Sequence, residues 1–277
     1  MFKKGLVLTI VLLLSISLLF LTAGCGQKTA GTDENKSQQQ EKTIVDKIKE
    51  RGKIVIATCA DYPPYEFHDL KGGKDEIVGF DIDIAKAIAD ELGVELEIQD
   101  MTFDGILPTL LANQIDLAIA AFTITEERKK SVDFSDPYFD GGQRILTYKG
   151  SGVENNNDLI GKTIAVQVGT TGEEEAKKIE GANLVQFNQV TEIALELVNK
   201  RVDAAIVGSV VAEAYAKTHD SLIAVGGLLN SEQNGIPVRK EDKELLAVVN
   251  KVIADLKADG TYDELVKKWF IDFNPEQ

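Results

Sequence analysis

The feature that most constrains the fold is an alternation of short apolar strands with amphipathic helical stretches, sustained from about Ile44 onward. Lys53-Ile54-Val55-Ile56-Ala57 has the apolar density of a buried strand. It runs into Asp61-Tyr62-Pro63-Pro64-Tyr65, where the prolines deny both helix and ladder. Residues 80–92 put Ile84, Ala87, Ile88 and Leu92 on one helical face, and Gly93 ends that helix. Further strands are predicted at 94–98, 116–122, 162–168, 183–187 and 202–207. Helices are predicted at 103–112, 172–179, 192–200, 240–256 and 261–270. This order predicts an α/β protein of parallel layers. An internal echo suggests how many. Shifted by 87 positions, Ile106, Leu110, Ile115, Asp116, Ala118 and Ile119 fall on Ile193, Leu197, Val202, Asp203, Ala205 and Ile206. Two lobes of similar architecture are the simplest account. Ligands of open parallel sheets sit beyond the carboxyl ends of the strands, so a ligand is expected between the lobes.

The first 24 residues are of another kind. Lys3 and Lys4 precede an apolar run from Leu6 to Leu21, which closes on Thr22-Ala23-Gly24 and then Cys25. That is the anatomy of a secretory signal. The cysteine after small residues resembles a bacterial lipobox and implies cleavage before Cys25 and lipid attachment to its sulfur. Residues 26–40 hold no large apolar side chain, so 25–43 is expected to be a lipidated flexible tether. The exported portion is then extracytoplasmic and anchored to the cell membrane. The formal net charge is −15. That sign opposes nucleic acid, and membrane attachment must come from the lipid, since anionic headgroups repel such a chain. With Cys25 lipidated, Cys59 is the only free thiol and no intrachain disulfide forms. Two histidines without a Cys/His cluster leave no basis for a transition-metal site, and no cofactor is expected.

Two features suit a small anion. Arg128, within Thr123-Ile124-Thr125-Glu126-Glu127-Arg128, carries a rigid fork that matches a carboxylate with two parallel bonds; a surface arginine paired with its neighbouring glutamates is the alternative. Val168-Gly169-Thr170-Thr171-Gly172 opens a helix, where unpaired N–H groups point outward, although a simple N-cap would also explain the threonines. Tyr62, Tyr65 and Phe103 are candidate aromatic walls or core residues. Catalysis finds little footing. The chain has no Gly-x-Ser-x-Gly turn and no Walker loop, and neither His68 nor Cys59 sits among residues that would activate it.

Four motifs in order carry a resemblance. They are Ala60-Asp61-Tyr62-Pro63-Pro64-Tyr65-Glu66-Phe67, Val78-Gly79-Phe80-Asp81-Ile82-Asp83, Ile124-Thr125-Glu126-Glu127-Arg128 with Val132-Asp133-Phe134-Ser135-Asp136-Pro137-Tyr138, and Asp259-Gly260-Thr261-Tyr262 before Trp269-Phe270. Together they resemble the extracellular solute-binding protein family 3, the polar amino acid receptors of ABC importers, over about residues 44–272. The resemblance implies a periplasmic-binding-protein-like fold of type II, with lobe 1 formed by 44–140 and 239–272 and lobe 2 by 141–238. It implies connecting strands near 139–145 and 235–238, and a monomer that delivers its solute to a membrane permease. It also implies that Arg128 holds an α-carboxylate with N–H groups at Thr123 and Thr171, and that the Ala121 carbonyl and Thr123 hydroxyl accept from an α-ammonium. Tyr62 and Phe103 would sandwich the ligand side chain, with Gln167 near its far end and Asp61, Thr170, Gly208 and Ser209 completing the wall. Two positions depart from the family. Cys59 stands where receptors of cationic amino acids carry an acid, which points to a neutral, polar or sulfur-containing ligand. Gly208-Ser209 stands where the acid for the α-ammonium is expected; either Ser209 or an acid such as Glu213 substitutes, or the ligand lacks an ordinary free α-ammonium. Other readings of the fold are a solute sensor for a signalling partner and a cyclohexadienyl-dehydratase-like enzyme.

Overall fold

The computed structural model describes residues 42–273. The leader, Cys25 and most of the tether lie outside them. Among the described residues no helix is long and apolar enough to cross a membrane.

A capped helix opens the described chain: Thr43 and Asp46 bond reciprocally at the start of Ile44–Arg51, and Gly52 turns left-handed at its end. The chain then enters Lys53–Thr58, the central strand of a parallel sheet between Glu95–Asp100 and Leu117–Ala118. Every side chain of this strand from Ile54 to Thr58 is buried, as expected for a strand covered on both faces. The helix Phe80–Leu92 packs against this sheet and against the long helix Lys243–Asp259. A small antiparallel sheet of Asp61–Tyr62, Glu66–Asp69 and Glu76–Val78 sits at the carboxyl end of the central strand.

The second lobe is built on Thr163–Gln167, flanked in parallel by Asn183–Phe187 and Ala204–Gly208. Here the fully parallel expectation fails. Gln143–Tyr148 runs antiparallel to Ala204–Gly208, and Leu222–Val225 runs antiparallel to Gln143–Tyr148. The strand at 222–225 and the helix Ser209–Thr218 escaped the sequence reading, because Ala-rich amphipathic stretches next to the apolar 202–207 run blur both periods. The first lobe's third strand is also shorter than 116–122, with only Leu117–Ala118 laddered before the chain bends toward the cleft.

An antiparallel ribbon joins the lobes, Phe139–Gly141 against Glu232–Asn234. The returning strand crosses a few residues ahead of the expected 235–238, since Pro237–Arg239 already pairs with Val132–Phe134 in the first lobe. Aromatic rings pack beneath the ribbon: Phe270 lies 4.6 Å from Phe139, 4.9 Å from Phe80 and 5.2 Å from Tyr65 between centroids. The molecule is thus a two-lobed α/β fold of type II. The carboxyl ends of both central strands face the same space.

Candidate ligand-binding cleft

Of the residues singled out above for contact with a ligand, twelve border one cleft between the lobes: Cys59, Asp61, Tyr62, Phe103, Ala121, Thr123, Arg128, Gln167, Thr170, Thr171, Gly208 and Ser209. Nearly all of them lie just past a strand's carboxyl end or at a helix start. Fold topology, more than sequence proximity, brings them together.

Arg128 sits on the short helix Glu126–Lys129, whose cap Thr125 accepts from the Arg128 N–H at 3.2 Å. Its glutamate neighbours are taken by lysines, Glu126 by Lys129 at 2.8 Å and Glu127 by Lys130. Arg128 therefore turns inward. Its guanidinium carbon lies 5.4 Å from the Phe103 ring centre and 5.3 Å from that of Phe122, and those rings stack on each other at 4.5 Å. Nη1 donates to the Thr123 carbonyl at 2.7 Å, and Nη2 reaches across the cleft to the Gly169 carbonyl at 3.0 Å. The guanidinium and the Gly169–Thr171 turn thus meet. Burial lowers the pKa of Arg128, while Glu174 and Glu232 oppose that shift through space.

The lobes touch at several further points. The Tyr62 hydroxyl accepts from the Gly208 N–H at 2.8 Å, and its ring stacks on Tyr65 at 6.0 Å. The Thr123 and Thr171 hydroxyls approach to 3.3 Å. Asp61 is the densest link. Its carboxylate accepts from Gln167 Nε2 at 3.1 Å and from the N–H of Val190, the first residue of the helix Val190–Val198; its carbonyl accepts from Tyr215 at 2.9 Å. An acid of one lobe thereby caps a helix of the other. Burial raises the Asp61 pKa to about 6, against the lowering effect of those hydrogen bonds. Cys59 donates to Asp61 at 3.2 Å, and burial pushes its thiol well above the ordinary range, so it is a poor nucleophile.

Two substitutes named for the missing acid fare differently. Glu213 does not border the cleft and pairs with Arg144 at 2.7 Å. Ser209 borders it, with its N–H spent on the Gly142 carbonyl at 2.9 Å. An acid that borders the cleft beside Thr123 is Glu232, which sequence reasoning missed. Its Oε2 accepts from the Thr123 hydroxyl at 2.9 Å and from Gln143 Nε2 at 3.0 Å, and its Oε1 accepts from Asn230 at 2.8 Å. Two residues on, Asn234 donates to the Ala121 carbonyl at 2.6 Å. Period-two alternation of a polar strand beside Gly235 was the available signal. Glu66 was likewise passed over inside a quoted motif; it borders the cleft with 1% exposure. At Gly208, where the family's acid is expected, a Cβ would meet the Tyr62 hydroxyl at 2.6 Å, so a side chain there would displace the Tyr62 ring from its bond to the Gly208 N–H.

With this geometry described, comparison with known proteins is decisive. Residues 54–272 match the family of bacterial extracellular solute-binding proteins, family 3. This chain belongs to that family. Among its relatives, the arginine-binding extracellular protein ArtP of Bacillus subtilis is 34% identical, over 94% of this chain and 97% of its own length. The glutamine-binding protein GlnH of the ABC transporter in the same organism is 35% identical, over 93% and 94%. Among solved structures, holo ArgBP from T. maritima is 50% identical, covers 81% of this chain and 99% of its own, and superposes with a TM-score of 0.74. These relatives are amino-acid-binding proteins, and the chain's general role is that of a solute-binding protein of an amino acid ABC transporter.

Proposed function

We propose that this member of family 3 is a lipid-anchored, monomeric receptor that closes its lobes, joined by the ribbon of residues 139–141 and 232–234, on one free amino acid with a cationic side chain and hands it to a membrane permease. The observation that carries this reading is the charge of the cleft: one guanidinium, Arg128, against the carboxyls of Asp61, Glu66 and Glu232. Arg128 offers its fork to the α-carboxylate. The Ala121 carbonyl, whose second lone pair is still available, the Thr123 hydroxyl and Glu232 take the α-ammonium. Glu232 supplies the counter-charge for which Gly208 has no room. Two acids remain deeper in the cleft, beside Cys59 and Gln167. A neutral side chain would bring them no counter-charge, and ionised buried carboxyls without one are costly.

This departs from the neutral ligand inferred from Cys59. That inference weighed one position, whereas the acids return two and seven residues later at Asp61 and Glu66. The arginine-binding relatives lean the same way. Binding, and no catalytic step, is the role proposed, because each acid is spent on positioning or on ligand charge. Calorimetry of the full chain with arginine, lysine, citrulline, glutamine and cystine tests the reading. Arginine is expected to bind at least tenfold more tightly than citrulline, its uncharged counterpart. Equal or tighter binding of a neutral amino acid would overturn the cationic assignment while leaving the receptor role intact.

A further inference from the structure

Beneath the cleft lies a pair of carboxyls that the receptor reading does not yet use fully. Glu66, on the strand Glu66–Asp69, and Asp81, in the first turn of Phe80–Leu92, are 1% and 0% exposed. Asp81 Oδ2 accepts from the Ala121 N–H and from the Tyr138 hydroxyl, both at 2.8 Å. Asp81 Oδ1 and Glu66 Oε2 have no hydrogen-bond partner. The Asp81 N–H donates at 2.9 Å to the carbonyl of Tyr65, the residue before Glu66, which sets the two buried side chains close together. Two acceptor atoms orphaned side by side become partners once one of them carries a proton.

The surroundings reinforce this. Asp61 and Asp100 add negative field at Glu66, the hydroxyls of Tyr62, Tyr65 and Tyr138 are all buried nearby, and from the hinge ribbon neutral Asn234 approaches Tyr65 while Glu232 acts through space on Tyr62. Neither acid makes an ion pair among the described residues: Lys268 pairs with Asp83 and His68 with Asp75 and Asp100. Burial raises both carboxyls above their usual range; the charges of Asp81 and Asp61 add to this at Glu66, whereas hydrogen bonding from Ala121 and Tyr138 and the contact with Glu66 offset it at Asp81. Asp81 also holds Ala121, a non-glycine residue at φ 45°, by its N–H, so the pair braces a strained residue whose carbonyl borders the cleft.

We propose that Glu66 and Asp81 share one proton in the ligand-free protein and that a cationic side chain arriving at Glu66 displaces it. The inference rests on the cationic reading above. The step balances simply. The carboxyl O–H bond breaks with its electron pair left on oxygen, the proton passes to buffer, and the ligand's positive charge replaces it as the pair's counter-charge. Capture is thereby linked to pH.

The test is calorimetry of the full-length chain in detergent at pH 7.5, titrating L-arginine in phosphate and in Tris, whose ionisation heats differ widely. The wild type should release about one proton per arginine, and arginine affinity should weaken about tenfold per pH unit on acidification from that point. Citrulline, if it binds, should release none. Glu66→Gln and Asp81→Asn, each checked for folding by thermal melting, should bind arginine with buffer-independent heats. Arginine binding in the wild type with no buffer dependence overturns the proton linkage and spares the receptor reading; so does proton release that persists in both variants. Infrared difference spectra of ligand-free wild type against Glu66→Gln give a second check that needs no ligand. A protonated-carboxyl band at pH 7.5 in the wild type alone is expected, and its absence overturns the shared proton.

Discussion

Arg128 owes its place to competition among neighbours. Four charged residues surround it in sequence, yet Glu126 and Glu127 are satisfied by Lys129 and Lys130 one turn on, which leaves the guanidinium free to lie over Phe103 and Phe122. Its two carbonyl contacts, one from each lobe, fix the plane of the fork. A lysine keeps the charge but loses the plane and one of the two parallel bonds. Arg128→Ala should therefore weaken amino acid binding by at least ~2–3 kcal/mol, and Arg128→Lys should recover only part of that loss. Calorimetric affinities that match the wild type in both variants would remove Arg128 from the site. Cys59 teaches the opposite lesson at the same scale. Its identity suggested a neutral ligand, yet the residue that sets the local charge is Asp61, two positions on and bonded to it.

At the scale of elements, the echo over 87 positions has a physical core. Asp116 accepts from the Val55 N–H and donates its own N–H to the Val55 carbonyl; Asp203 does the same with Thr163, and all four contacts are 2.8 Å. Each aspartate stitches the start of its strand to the central strand of its lobe, which is why the residue recurs at the same place. Strands, helices and the Arg128 motif were legible because period and capping residues are local. The antiparallel pair Gln143–Tyr148 and Leu222–Val225, and Glu232 as a wall of the cleft, were not, since strand partners far apart in sequence decide both. Gly79 shows how strictly an element start can be specified. It precedes Phe80–Leu92 at φ 142°, and a Cβ there would lie 2.0 Å from the Tyr65 carbonyl oxygen. Gly79→Ala should cost about 3 kcal/mol or more, because both the backbone angle and rigid main chain oppose it. A melting temperature within a degree or two of wild type would contradict this.

At the scale of the whole molecule, groups of one lobe lie within reach of the other, and Asp61 is a titratable group held between them. In the closed arrangement Gln167, Val190 and Tyr215 cover it to 3% exposure. Opening removes that cover, and the carboxyl should return toward its ordinary value near 3.8. The sign follows from which form binds the proton more tightly. Burial raises Asp61 to about 6 in the closed form, so closure takes up a proton between those two values. The closed form is favoured at the acid end, and the advantage is lost as pH rises through about 6, by up to ~3 kcal/mol in all. Above that pH Asp61 is ionised in both forms and contributes no further change. Small-angle scattering of the ligand-free protein should accordingly give a smaller radius of gyration at pH 4.5 than at pH 7.5. Asp61→Asn, which cannot titrate, should flatten the difference. A radius that shrinks instead on raising the pH would mean that the interlobe hydrogen bonds to the carboxylate outweigh its desolvation, and that Asp61 latches the lobes as an anion.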